Sequence, residues 1–281
     1  MPQKLILVLG ATGAQGLAVV NNLLAPTHNG LPSPYAVRAL SQNPESLCAK
    51  TLKAKGTEVI QGDTNDLASV TRVLKGAYSV WVNTDGFTIG EQKELYTGMR
   101  IFELAKAMKM VKHFVWSSLD YGFKIPFIVN DADMTWSIVT SRPYMEMLKM
   151  HMFGPMYEHT DSTLVFASLI GDGYVPMIGM SDLGFFACYT FDNHALTSGK
   201  DLKITSKMVG WYHLVLTFIK VTGKKARKAG DGSMTWKQNF SGWWSLFHDD
   251  VSKRDMEWIR TVHPHVHTLE TWMRETKYDS S

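Results

Sequence analysis

Residues 5–16 read Leu5-Ile-Leu-Val-Leu-Gly10-Ala-Thr-Gly13-Ala-Gln-Gly16, and an apolar stretch, Leu17 to Leu24, follows at once. A short apolar run, three glycines spaced GxxGxxG and a second apolar run predict a strand, a tight turn and a helix N-terminus. Each glycine then has its own task. Gly10 permits the turn, Gly13 lets the backbone approach a ligand, and Gly16 lets the helix pack against the strand. The free N–H groups of the first helical turn face whatever occupies the turn, which favours a phosphate or pyrophosphate. The glycines alone are a weak signal; the strand–turn–helix setting makes them specific.

Working outward, the next hundred residues keep the same rhythm. Strands are expected at Lys4–Leu9, Tyr35–Leu40, Thr57–Gln61, Tyr78–Asn83 and His113–Ser117. Helices are expected at Gln15–Leu24, Pro44–Lys55, Asn65–Leu74 and Gly90–Met108, the last with Leu95, Met99, Phe102, Leu104 and Met108 on its inner face. Strands alternating with helices at this spacing predict a parallel, doubly wound α/β sheet with right-handed crossovers. A sixth strand is expected at Thr135–Val139 and a helix at Tyr144–Met152, whose Met145, Met147, Met150 and Met152 could line an adaptable pocket or simply fill core. Residues 160–281, with Trp211, Trp236, Trp243, Trp244, Trp258 and Trp272, read as a smaller α+β lobe. The division expected is a nucleotide-binding domain over residues 1–150 and a substrate or lid lobe over 151–281, with strands returning to the main sheet.

With 281 residues, 45% of them hydrophobic, the chain can bury a large core. Its 29 basic and 26 acidic residues are mixed through the sequence, with one dense basic run at Lys224, Lys225, Arg227 and Lys228. That run is too short for the broad basic stripe of a nucleic-acid binder, so no nucleic-acid partner is expected. The two cysteines, Cys48 and Cys188, form neither a CxxC nor a Cys/His cluster. His263, His265 and His267 alternate, but without a carboxylate or cysteine at matching spacing they read as surface histidines rather than metal ligands. No apolar run is long enough to span a membrane, and Met-Pro-Gln-Lys runs straight into the first strand with no room for a signal peptide. A cytoplasmic protein is expected, or a nuclear one if its role is regulatory.

In a doubly wound sheet the ligand sits at the carboxyl ends of the strands. That rule selects Gly10, Thr12, Gly13, Ala14, Gln15 and Gly16 after the first strand, Ser41 and Gln42 after the second, Asp63 after the third, Asn83 and Thr84 after the fourth, and Ser117 and Ser118 after the fifth. An acidic residue at the end of the second strand accepts from ribose hydroxyls, whereas a basic one accepts a 2′-phosphate. Here Ser41-Gln42-Asn43 is neither. Absence of the acid tilts the expected cofactor toward NADP(H), with NAD(H) as the alternative.

The glycine turn, together with Val37-Arg-Ala-Leu-Ser-Gln-Asn-Pro44, Gly56-Thr-Glu-Val-Ile-Gln-Gly-Asp63, Lys112-His-Phe-Val-Trp-Ser-Ser118 and Val175-Pro-Met-Ile-Gly-Met-Ser-Asp-Leu-Gly184, resembles the NmrA-like family. The likeness runs from about residue 4 to residue 184, and Thr268-Leu-Glu-Thr-Trp272 fits beyond it. These are atypical short-chain dehydrogenase/reductases. The resemblance implies a Rossmann domain with a small C-terminal lobe, binding NADP(H) or NAD(H). Some members reduce a small organic substrate; others act as sensors or regulators, with a protein partner, without turnover. The family often has an arginine where this chain has Gln42.

The reductases of the wider superfamily use a Tyr and a Lys in a YxxxK helix, the Lys lowering the Tyr pKa for proton transfer. This chain has Tyr121-Gly-Phe-Lys124, a shorter spacing, in a connection of about sixteen residues containing Pro126, which opposes a helix. Ser118, Asp120, Tyr121 and Lys124 are therefore the catalytic candidates, and the crossover helix is expected to be shortened. Three functions follow: an NAD(P)(H)-dependent oxidoreductase, a dinucleotide-dependent sensor, or an isomerase or cyclase using Ser118, Asp120 and Tyr121 as acid–base groups.

Overall fold

A computed structural model of the protein describes residues 2–84, 89–119, 133–141, 143–150, 153–155, 157–158, 162–167, 170, 172–229, 247–248 and 253–279. In chain order the strands are β1 (Lys4–Leu9), β2 (Tyr35–Ser41), β3 (Glu58–Gln61), β4 (Ser79–Val82), β5 (His113–Ser118), β6 (Thr135–Thr140), β7 (Tyr157–Glu158), β8 (Leu164–Ala167), β9 (Val175–Met177), β10 (Lys200–Lys203), β11 (Lys207–Val209) and β12 (Ala226–Ala229). The α-helices are α1 (Ala14–Leu24), α2 (Leu47–Ala54), α3 (Leu67–Leu74), α4 (Glu91–Ala107), α5 (Met180–Asp192), α6 (His194–Thr197), α7 (Trp211–Thr222), α8 (Met256–Val262) and α9 (Leu269–Glu275). These elements group into two compact units, residues 1–140 with 183–202, and residues 141–182 with 203–281.

The first unit is built on a seven-stranded sheet in the order β10-β6-β5-β4-β1-β2-β3. β1 runs parallel to both β2 and β4, and the parallel pairing continues through β3 on one side and through β5 and β6 on the other. Strand order thus reverses between β1 and β4, which is the switch point of a doubly wound fold. Helices cover both faces, so the central strands need no polar side and read as continuous apolar runs; all four residues of β4 are buried. Leu7 and Leu9 of β1 pack with Val70 and Val73 of α3 and with Ile101 and Phe102 of α4. Burying each such side chain contributes about 1.5–3 kcal/mol. Ile6 and Val8 alternate to the opposite face, and α1 buries Val19, Val20 and Leu23.

Caps move two helix starts inward from the sequence expectation. Ser46 Oγ accepts from the Ala49 N–H (3.2 Å), and the Asp66 carboxylate accepts from the Ala68 and Ser69 N–H groups (both 3.1 Å). Residues 44–46 and 65–66 are therefore lead-in rather than helix.

The second unit pairs β9 with β11 antiparallel, and sets β8 parallel to β12 and antiparallel to β7. Its core holds Met145, Leu148, Phe166, Trp211, Phe218 and Trp272. Residues Met145–Lys149 form a 3₁₀ helix. Met145 is fully buried in this core, Met147 packs against it, and Met150 is 60% exposed. The methionines for which a shared pocket was one reading divide instead between core and solvent; Met152 lies outside the described residues. So does most of the connection between β5 and β6, residues 120–132, where the shortened crossover was expected.

Candidate functional site

Gly10 leaves β1 with φ +77°, a left-handed conformation that side chains resist. A Cβ at Gly10 would also lie 2.7 Å from the Asn83 carbonyl oxygen, just beyond β4. The turn closes when the Gly13 N–H donates to the Gly10 carbonyl (3.0 Å). Gly13 is then the N-cap of α1, so the helix begins at Ala14 without a side chain over its end. A Cβ at Gly16 would collide with the Gly10 carbonyl and with Ala11 Cα. Only glycine at 10 and 16 allows strand, turn and helix to approach this closely. Gln15 faces inward from the first turn of α1, and Ser117 Oγ at the end of β5 donates to its Oε1 (2.5 Å). That contact ties the helix N-terminus to the far side of the switch point.

Beside this turn opens a cleft of about 310 Å³. Gly10 and Thr12 form one wall, Leu40, Ser41, Gln42 and Asn43 another, and Ser46, Gly62 and Thr64 the rest. No lining residue is charged. Asp63 follows Gly62; the Asn65 backbone N–H donates to its Oδ1 (2.8 Å), and the Asn65 and Gln42 side chains add hydrogen bonds, so its carboxyl sits below the usual range. A Cβ at Gly62 would press on Leu40 Cδ1 and Ser69 Oγ, both at 2.7 Å. Leu40 and Ser46 were not singled out from the sequence. The N-cap pattern at Ser46, ahead of α2, was the signal that could have found the latter.

The remaining candidates separate. Thr84 Oγ1 donates to Glu94 Oε1 of α4 (2.5 Å), which turns its hydroxyl to that helix. Ser118 ends β5, largely buried, and its Oγ donates to the Leu119 carbonyl (2.8 Å). Asp120, Tyr121 and Lys124 lie outside the described residues. Gly10, Thr12, Ser41 and Gln42 line the cleft, with Asn83 at its Gly10 edge.

This geometry fits a dinucleotide. A cradle that a Cβ at Gly10 or Gly16 would fill stands next to an uncapped helix N-terminus, and the neutral cleft beside it offers hydroxyls and amides.

The second unit holds a different centre that sequence reasoning missed. His263 and His267 are not ordinary surface residues; each has a side chain only 13% exposed, and both converge on Asp182, which is 2% exposed. His263 Nε2 and His267 Nδ1 each lie 2.9 Å from Asp182 Oδ1. The other oxygen, Oδ2, accepts from Ser206 Oγ (2.5 Å) and from the His267 N–H (2.9 Å). Burial pushes the Asp182 carboxyl up, but the hydrogen bonds from His263, His267 and Ser206 outweigh it and hold the group well below the usual carboxylate range. His267 Nε2 also meets Glu275 (2.7 Å); set between two carboxylates, its ring is raised to about 9, first by the bond to Asp182. His265 is exposed. Among the described residues no group of three or more His, Cys, Asp or Glu could hold a metal ion.

A doubly wound sheet with its glycine turn at the switch point defines a protein of the Rossmann type. The family model for the NmrA-like family matches residues 2–126. An NmrA-like family domain-containing oxidoreductase of Aspergillus hancockii is 35% identical over 256 residues, covering 80% of this chain and 74% of that protein. The chain therefore belongs to the NmrA-like family. Solved structures share its fold: NmrA, a negative transcriptional regulator, in complex with NAD (TM-score 0.79, 16% identity, 98% of this chain and 95% of that one). The Escherichia coli NADPH-dependent quinone oxidoreductase complexed with NADPH is a second (TM-score 0.71, 18% identity, 97% and 100% covered). Among the described residues no helix is long and apolar enough to cross a membrane.

Proposed function

We propose that the protein is an NAD(P)(H)-dependent oxidoreductase of the short-chain dehydrogenase/reductase type, acting in the cytoplasm on a small or medium organic molecule. The observation that carries this reading is the closure of Gly10, Gly13 and Gly16 around the uncapped start of α1, at the switch point of the sheet. The oxidoreductase relative and the neighbours holding NAD and NADPH support it. Once bound, the cofactor supplies the hydride. The α1 N–H groups and the backbone at Gly10 and Gly13 would hold its pyrophosphate, and Gln15, held by Ser117, fixes the helix end against β5. Ser118 Oγ, which donates to the Leu119 carbonyl, is left to accept from a substrate hydroxyl in this reading. Tyr121 or Asp120 is the proton donor to the substrate oxygen, with Lys124 the cation three residues after Tyr121 in the sequence. Titration of NADPH, NADH, NADP and NAD by calorimetry, followed by turnover with the forms that bind, tests the reading. Binding plus oxidation of the reduced form by a member of a carbonyl and enone panel is expected. Binding with no oxidation across the panel overturns it.

A second reading, a dinucleotide-dependent regulator without turnover and with a protein partner, is favoured by the regulator NmrA having the same fold. It requires different affinities for oxidised and reduced forms, because a ligand shifts states only through differential affinity. Equal affinity for all four forms would remove it.

A further inference from the structure

Helix α7 is apolar on two sides. Trp211, Leu214, Val215 and Phe218 point into the core of the second unit. On the opposite side Tyr212 is 68% exposed and Leu216 48%, and Ile219 is exposed with them. Spaced i, i+4 and i+7, these three form one line along the helix. His213 and Lys220 flank the line and are exposed too. Exposed Tyr174 extends it past the helix start, where its ring lies close to Gly210. A second apolar helix face, open to solvent and bordered by polar groups, marks an interaction surface.

We propose that a second copy of the chain docks on this face, the two α7 helices lying antiparallel across a two-fold axis at Leu216. In such an interface residue i meets residue j, and j meets i. From Tyr212 to Lys220 the helix runs exposed, exposed, buried, buried, exposed, buried, buried, exposed, exposed, the same in both directions about Leu216. With the axis there, Leu216 meets the Leu216 of the second copy, Tyr212 meets Lys220, and His213 meets Ile219. All five exposed residues of the stretch thus find partners within the same set. The Tyr212 ring receives the Lys220 ammonium of the second copy, a cation–π contact.

The surroundings favour a copy of the chain over a strongly charged partner. Lys220 and Arg274 share the Glu270 carboxylate (2.7 and 2.9 Å), and Lys224 pairs with Asp279 (3.5 Å). In β12 Ala226 packs on the core, so Lys225 and Arg227 alternate to the other side of the strand. The dense basic run therefore lends the α7 face little charge. Five side chains from each copy fall short of the roughly 800 Å² a side of a stable dimer, so the association is weak and depends on concentration.

Sedimentation velocity of the full chain over a roughly hundredfold range of concentration tests this. A monomer passing to a dimer is expected, with a dissociation constant of roughly 10–1,000 µM. A sedimentation coefficient that does not rise with concentration overturns the proposal. Leu216→Lys sets two like charges face to face on the axis and is expected to weaken the dimer by at least about tenfold. Leu216 is half-exposed, so the variant should fold, and far-ultraviolet circular dichroism checks that it does. A folded Leu216→Lys that dimerises like the parent puts the dimer on another face and overturns the proposal. Cross-linking then reads the axis itself. In a Cys48→Ser background, which removes the exposed native thiol, Leu216→Cys is expected to give a disulfide-linked dimer under mild oxidation, and Leu196→Cys, exposed on α6, is not. Equal cross-linking of the two, or none from Leu216→Cys, overturns the placement of Leu216 on the axis.

Discussion

The cleft of the first unit and the Asp182 centre of the second are built on opposite principles. The cleft is neutral, made of glycine backbone, hydroxyls and amides, and its walls are three short stretches at strand ends: Gly10 and Thr12, Leu40 to Asn43 with Ser46, and Gly62 with Thr64. The Asp182 centre is charged and made of side chains, and its members come from residues 182, 206, 263, 267 and 275. A backbone site tolerates a variety of side chains around it, provided that the glycines stay. A buried charge site fails when any one partner is lost, because the others are then left unpaired in a dry interior.

That contrast can be broken in four places. The largest effect is expected at Asp182→Ala, which leaves the His263 ring, the His267 ring and backbone N–H, and the Ser206 hydroxyl without the carboxylate that holds them. A loss of about 3–5 kcal/mol is expected in urea unfolding followed by tryptophan fluorescence. A variant as stable as the parent would mean that the centre is solvated. Next comes Gly16→Val, where the added side chain meets the Gly10 carbonyl. Stability should fall by about 1–3 kcal/mol, and calorimetry should show no dinucleotide binding. If Gly16→Val binds normally, the turn is not the cradle.

The third is a pH profile. The folded pKa of His267 is raised to about 9 from 6.5, so its contribution is fully present below 6.5 and disappears as pH rises through about 9. Asp182 is shifted down, so its contribution is present above the ordinary carboxylate pKa of about 3.9 and lost as pH falls through its lower folded value. These are one interaction seen from its two partners. Thermal melts should be highest between about pH 5 and 7. His267→Gln should flatten the alkaline limb; an unchanged limb assigns it to another group. The smallest effect belongs to the cleft side: Ser117→Ala removes the bond to Gln15 and should cost about 1 kcal/mol in the same urea assay. A larger loss would make the first unit as dependent on single polar contacts as the second.

The same difference decides what could be read from the sequence. β1 to β5 and the four helices among them follow from period and glycine placement, because each is specified by its own residues. The ends of α2 and α3 shift inward because Ser46 and Asp66 act as caps, a side-chain effect that apolar periodicity does not report. Met145 to Met152 illustrates the limit of periodicity. It flags a helical segment but does not distinguish a short 3₁₀ turn with one buried methionine from an amphipathic helix. Asp182 was unreadable for another reason. Its histidine partners lie 81 and 85 positions away, and no local pattern couples them. Lys200–Lys203 carries one buried residue, Leu202, among three exposed ones, too little apolar signal to mark a strand.

That last strand has a consequence for anyone making the protein in pieces. β10 joins the sheet next to β6 although some sixty residues of chain separate them. The nascent first unit therefore waits for residue 203 to leave the ribosome before its sheet is finished. A fragment cut after Thr140 would present the open side of β6, a row of unpaired N–H and C=O groups that recruits other chains. Such a fragment should aggregate, whereas one that keeps residues 183–203 on a short linker gives β6 its neighbour.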